Sequence, residues 1–163
     1  MLTPSLTDLA SVAPEIVLAV AVGVLLVVEA FLPGIRRFMS PIAMAATLIA
    51  AWARFHFPLP GAVWGGLLSI DRVAAFVDLY ILVAVLLTAW MSGPFLRRNN
   101  ADRGEYYSLL LLAAIGAMVM AASVDALTLF LGLELLSIPL YVLAAFGVRL
   151  LQAYSRQVQS KQE

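Results

Sequence analysis

Glu134 lies in the run Leu131-Gly132-Leu133-Glu134-Leu135-Leu136-Ser137-Ile138-Pro139-Leu140-Tyr141, which contains no Lys, Arg or His. On a helix, Ser137 and Tyr141 follow at i+3 and i+7 and share its face. Pro139 has no N–H to give the carbonyl of Leu135, which leaves an acceptor beside the acid and predicts a kink. An acid, two hydroxyls and a freed carbonyl on one face can hold water and pass protons. The competing reading is a protonated Glu134 buried against a neighbouring helix. An ionisable group at a bilayer centre costs about 2.5–3.5 kcal/mol on insertion scales, so the proton-handling reading is preferred.

Two more acids fall within apolar stretches. Asp78 faces either a cavity or another subunit. Glu29 reaches the interface or pairs with Arg36 or Arg37. His56 is the only His, and its place beside the loop that begins at Phe57 makes it a surface residue rather than a ligand. There is no Cys, which excludes disulfides, thiolate metal sites and iron–sulfur ligation. Neither a metal nor a bound cofactor is expected. Ten Lys and Arg balance ten Asp and Glu, so no basic field draws the chain to nucleic acid.

The elements that hold these residues are apolar helices. The composition is 63% hydrophobic and 12% charged, with a mean hydropathy of +0.99. Soluble domains have roughly 45–50% apolar and about 25% charged residues. A spanning helix needs about 20 mostly apolar residues. Spans are predicted over residues 12–32, 38–53, 73–92, 106–122 and 126–146, the second being the shortest. The last two come from one continuous run, broken at Ser123-Val124-Asp125 because Ser and Asp are helix N-cap formers. Continuous apolar runs, rather than period-2 alternation, favour helices over barrel strands. The fold class is therefore all-α, a polytopic membrane protein of about five transmembrane helices.

Orientation follows from the basic residues. Arg36, Arg37, Arg97, Arg98, Arg103, Arg149, Arg156 and Lys161 fall on one side, Arg54 and Arg72 on the other. That places the N-terminus outside and the C-terminus in the cytoplasm. Residues 1–11 are an external segment without a basic residue, so the first span is read as retained, with Pro14 in its first turn. Residues 57–70, with Pro58, Pro60, Gly61, Gly65 and Gly66, form an outer loop. Ala43, Ala46 and Ala50, and Ala113, Gly116, Ala117 and Ala121, make small-residue faces for close helix approach, either within the chain or to partner subunits. Residues 147–163 change composition: all four Gln and the only Lys fall in the last twelve residues, a polar cytoplasmic tail.

The run Glu-Tyr-Tyr-Ser-Leu-Leu from Glu105, and Leu-Phe-Leu-Gly-Leu-Glu-Leu-Leu-Ser-Ile-Pro-Leu-Tyr through Tyr141, closely resemble subunit N of the proton-pumping NADH–quinone oxidoreductase, respiratory complex I. Ala13-Pro14-Glu15-Ile16 leading into a helix is similar to that subunit's start. The likeness covers about residues 12–146. It implies an antiporter-like membrane-arm subunit in a bacterial inner membrane, with the other membrane-arm subunits and lipid as partners. NADH and quinone would be used by the whole complex, not bound here. It assigns Glu134 to proton transfer, with Ser137 and Tyr141 as polar support and Asp78 as a further candidate. Family members carry further helices and a partner Lys beyond the point where the likeness stops, so the chain is expected to be a truncated copy with no activity alone. The alternatives are a component of a multi-subunit sodium/proton antiporter, or a non-functional membrane fragment.

Overall fold

The computed structural model describes residues 6–31, 38–57, 59–98 and 104–159. A short helix, α1 (Leu6–Ser11), leads into α2 (Ala13–Phe31) and α3 (Met39–His56). A small hairpin, β1 (Gly61–Val63) and β2 (Leu68–Ile70), precedes α4 (Arg72–Arg98), α5 (Gly104–Ala122) and α6 (Ala126–Gln159). Successive long helices run antiparallel. The last turn of α3 meets the first turn of α2 and the second turn of α4 through Arg54, Glu15 and Asp78. At the opposite end Glu29, late in α2, meets Gly104 at the start of α5.

Helices α2, α4, α5 and the Ala126–Arg149 part of α6 are long and apolar enough to cross a bilayer, and the protein is an all-α polytopic membrane protein. Of the five predicted spans, α3 alone falls short of that measure, although it is a full helix in the bundle. The reason is its polar content. Ser40, Thr47 and Arg54 are buried on it, turned towards neighbouring helices rather than lipid. Ser40 Oγ donates to the Ala89 carbonyl of α4 at 3.2 Å, and Thr47 Oγ1 to the Ala43 carbonyl at 2.8 Å. Three predicted ends were short: α3 continues past residue 53 to His56, α4 through Pro94 to Arg98, and α6 past 146 to Gln159. The stretch read as a polar tail thus begins as a continuation of α6.

The predicted outer loop contains the hairpin. Its register is Gly61↔Ile70, Ala62↔Ser69 and Val63↔Leu68. The turn Trp64–Gly66 has left-handed backbone at Gly65 (φ 70°) and Gly66 (φ 92°), which glycine adopts without a Cβ penalty. The hairpin reaches across the molecule: Val124 N donates to the Leu67 carbonyl at 3.1 Å, and Leu68 bridges Ser123.

The expected break between the last two spans is present, and Asp125 caps α6. Its Oδ1 accepts the Leu127 and Thr128 amides at 2.7 and 3.1 Å, and its Oδ2 accepts the Thr128 hydroxyl at 2.6 Å. Asp71 caps α4 in the same way, accepting the Val73 and Ala74 amides at 2.9 and 2.8 Å. The hydrogen bonds from Thr128, side chain before backbone, hold the Asp125 carboxyl below its ordinary value. A depressed folded value means that the cap's contribution is present above the unfolded pKa of about 3.9 and is lost as pH falls through the folded value. Asp125→Ala is expected to speed hydrogen exchange at the Leu127 and Thr128 amides at neutral pH, an effect that shrinks in acid.

Within a bilayer, lipid tails are as apolar as Leu, so helices associate by close packing rather than by the hydrophobic effect. Small residues supply it here. Ala43, Ala46 and Ala50 are buried on α3, so that face packs within the chain. Helix α5 lies centrally, with Tyr107, Leu111, Ala114 and Met118 buried. Helix α6 rests chiefly on α5, where Gly116 and Gly132 face one another across the crossing. A Cβ on Gly116 would come 2.7 Å from the Leu135 carbonyl carbon and 2.9 Å from the Gly132 oxygen.

Candidate functional site

Glu134 sits near the middle of the spanning part of α6, on the side away from α5. Leu127, Leu131, Glu134, Ile138 and Tyr141 are spaced four, three, four and three apart and are all exposed. That is the spacing of a helix–helix seam. Gly132 and Pro139, on the other side of the helix, are buried. Among the described residues no side chain or amide bonds to the Glu134 carboxylate. Ser137 Oγ donates to the backbone carbonyl of Glu134 at 3.4 Å, not to its carboxylate, and Tyr141 is 74% exposed. Helix α6 is continuous through Pro139. The acid, hydroxyls and proline therefore share a segment as expected, yet the five long helices neither enclose that seam nor bury Glu134 against a neighbour.

The other charged site is closed. Arg54 Nη2 lies 2.7 Å from Asp78 Oδ2 and 3.1 Å from Glu15 Oε1, while Nη1 donates to the Ser11 carbonyl at 3.0 Å. The side chains of Arg54 and Asp78 are 4% and 1% exposed, that of Glu15 13%. One planar guanidinium thus joins α1, α2, α3 and α4, a geometry that a Lys ammonium cannot reproduce. Glu15 Oε2, Asp78 Oδ1 and Arg54 Nε remain buried without a partner.

This corrects the expectation that Asp78 faces a cavity or another subunit: its partner is Arg54 of the same chain. Ending the second span at residue 53 leaves Arg54 just beyond it, counted with Arg72 on the outer side. With α3 running to His56, Arg54 is in the last turn of that helix and its side chain folds back into the bundle. Glu15, which enters the sequence reading only within Ala13-Pro14-Glu15-Ile16, is the third member of the cluster. The signal was available as depth: an acid early in one span, a base late in the next, and an acid early in the third fall at one level when the helices alternate direction.

The remaining ionisable residues have plain roles. Glu29 Oε2 accepts the Gly104 amide at 2.9 Å; Arg36 and Arg37, its expected partners, lie outside the described residues. His56 is exposed as expected, stacked on Trp52 at 4.1 Å between ring centroids, with Nδ1 donating to the Trp52 carbonyl at 3.1 Å. Among the described residues no group of three or more His, Cys, Asp or Glu side chains is arranged around a common point.

No protein-family model matches the chain. Individual proteins do. The chain is 38% identical over 144 residues to NADH-quinone oxidoreductase subunit N of Desulfovibrio desulfuricans, covering 87% of this chain and 28% of that protein. It is 38% identical over 143 residues to NADH-quinone oxidoreductase subunit N of Desulfitobacterium hafniense, covering 85% of this chain and 29% of that protein. It is 36% identical over 148 residues to the protein of the same name from Magnetococcus marinus, covering 85% and 30%. The resemblance read from the sequence is borne out, and the chain spans under a third of the length of these relatives.

Proposed function

We propose that this chain works in the membrane arm of a bacterial NADH–quinone oxidoreductase, as the first helices of its subunit N, and contributes to proton translocation coupled to quinone reduction. The observation that carries this reading is the likeness to subunit N over most of the chain. The relatives named above are all oxidoreductase subunits, which sets this reading above a sodium/proton antiporter component. The assembly's site is the bacterial inner membrane, with the N-terminus outside, and its partners are the other membrane-arm subunits and lipid. NADH and quinone act elsewhere in the assembly.

Within this reading Glu134 transfers the proton. Supporting it are a mid-span position, an acid with no base in the predicted span 126–146, and an uncovered face of helix-packing spacing. Further helices laid on that seam would exclude lipid from the acid and supply its relay partner. Ser137 and Tyr141 would hold water beside it. In the assembled complex, Glu134→Gln is expected to preserve assembly and NADH oxidation while lowering the number of protons moved per electron. Gln matches Glu in shape but exchanges no proton at neutral pH. Unchanged stoichiometry would remove Glu134 from the transfer path.

A further inference from the structure

Two carboxylates and one guanidinium meet at the end of the bundle where α3 finishes. If both acids were ionised, the cluster would carry a net charge of −1 in an almost closed apolar site. The groups that face one another there are Glu15 on α2, Arg54 on α3 and Asp78 on α4, with α1 adding the Ser11 carbonyl. The nearby cations give no help. Arg72 is exposed, and His56 is exposed and turned to Trp52.

The hydrogen bonds point the same way. Ionised carboxylates only accept, and each offers about four lone-pair sites. Arg54 commits one amino group to Ser11 and divides the other between the two acids, so Glu15 Oε2 and Asp78 Oδ1 are buried with no donor. In a buried pair of this kind the like charge of each acid and the loss of water disfavour ionisation of both, against the single positive charge of Arg54. We propose that the Glu15–Arg54–Asp78 cluster is a proton-binding site, holding one exchangeable proton on its two carboxyls and so remaining neutral overall. Glu15 is the gate of the site. It is in the first turn of α2 and is the most exposed of the three side chains. This assignment does not depend on the role given to Glu134.

Infrared difference spectroscopy on the full chain in lipid nanodiscs tests it, using the deuterium-sensitive carbonyl band of protonated carboxyls. Either neutral substitution leaves one acid paired with Arg54, a neutral site that needs no proton. Glu15→Gln should therefore lose one protonated carboxyl and no carboxylate, and Asp78→Asn should lose the same. The double variant should lose one of each. A single variant that loses a carboxylate while the protonated band is unchanged would show both acids ionised and overturn the proposal. Either variant alone decides the matter, since each removes the same proton. Failure of both to fold would also count against it, because the remaining pair is then not the sound neutral pair the proposal requires.

Discussion

Arg54→Met is expected to destabilise the bundle by about 3–5 kcal/mol, the range for removing one member of a buried charge network. Met fills much of the volume but takes the guanidinium away from the Asp78 and Glu15 carboxyls, and removes its hydrogen bond to the Ser11 carbonyl as well. Arg54→Lys should cost less but not nothing, because one ammonium cannot present separate edges to Ser11 and to the two acids. Replacing the three side chains together, with Glu15→Met, Arg54→Met and Asp78→Leu, should recover most of the loss, since apolar residues of similar volume often substitute for a buried ion cluster without penalty. Unfolding of the four proteins in micelles, followed by helical circular dichroism, measures the series. An Arg54→Met protein as stable as the parent would mean that the cluster holds nothing together.

The second large effect is expected at the α5–α6 crossing. Gly116→Ala places a Cβ against the backbone of Leu135 and Leu136 and the carbonyl of Gly132. Backbone cannot swing aside as a flexible side chain does, so the helices must separate. Overpacking of this kind costs about 1–3 kcal/mol, and Gly116→Leu should exceed it. Spin labels at the exposed positions Glu105 on α5 and Val148 on α6 would report a longer distance between the helices. Gly23→Ala is the control. Nothing lies within 4 Å of a Cβ there, and Ala is the better helix former by about 1 kcal/mol. Equal behaviour of the two alanine variants would show that Gly116 is no packing point.

The five long helices and the break at Ser123–Asp125 were legible in the sequence, because each rests on local chemistry: long apolar runs and a capping acid. The small residues of α3 and α5 were legible as packing faces, although only the assembled bundle shows that Ala43, Ala46, Ala50 and Gly116 face their own chain. The ends of α3, α4 and α6 were set short, since a helix continues past the apolar stretch whenever its backbone stays hydrogen-bonded. That small error at residue 53 hid the largest polar feature. A span that stops at Ala53 leaves Arg54 in a loop, whereas one more turn aims its guanidinium at Asp78. The hairpin was illegible for a different reason: Gly65 and Gly66 mark a turn, but short strands of three residues carry too little alternation to show.

The hairpin also has a bearing on how the protein is made. A chain leaves the ribosome N-terminus first, so β1 and β2 exist before α5 and α6 have been synthesised. Until Val124 arrives, the Leu67 carbonyl lacks the amide that it accepts in the finished bundle. Closing that bond joins two stretches made more than fifty residues apart, and it is possible only when the turn between α5 and α6 has come back to the side of the membrane that holds the hairpin. The bond is therefore among the last of the bundle to close, and a chain in which α6 has not folded back along α5 leaves it open.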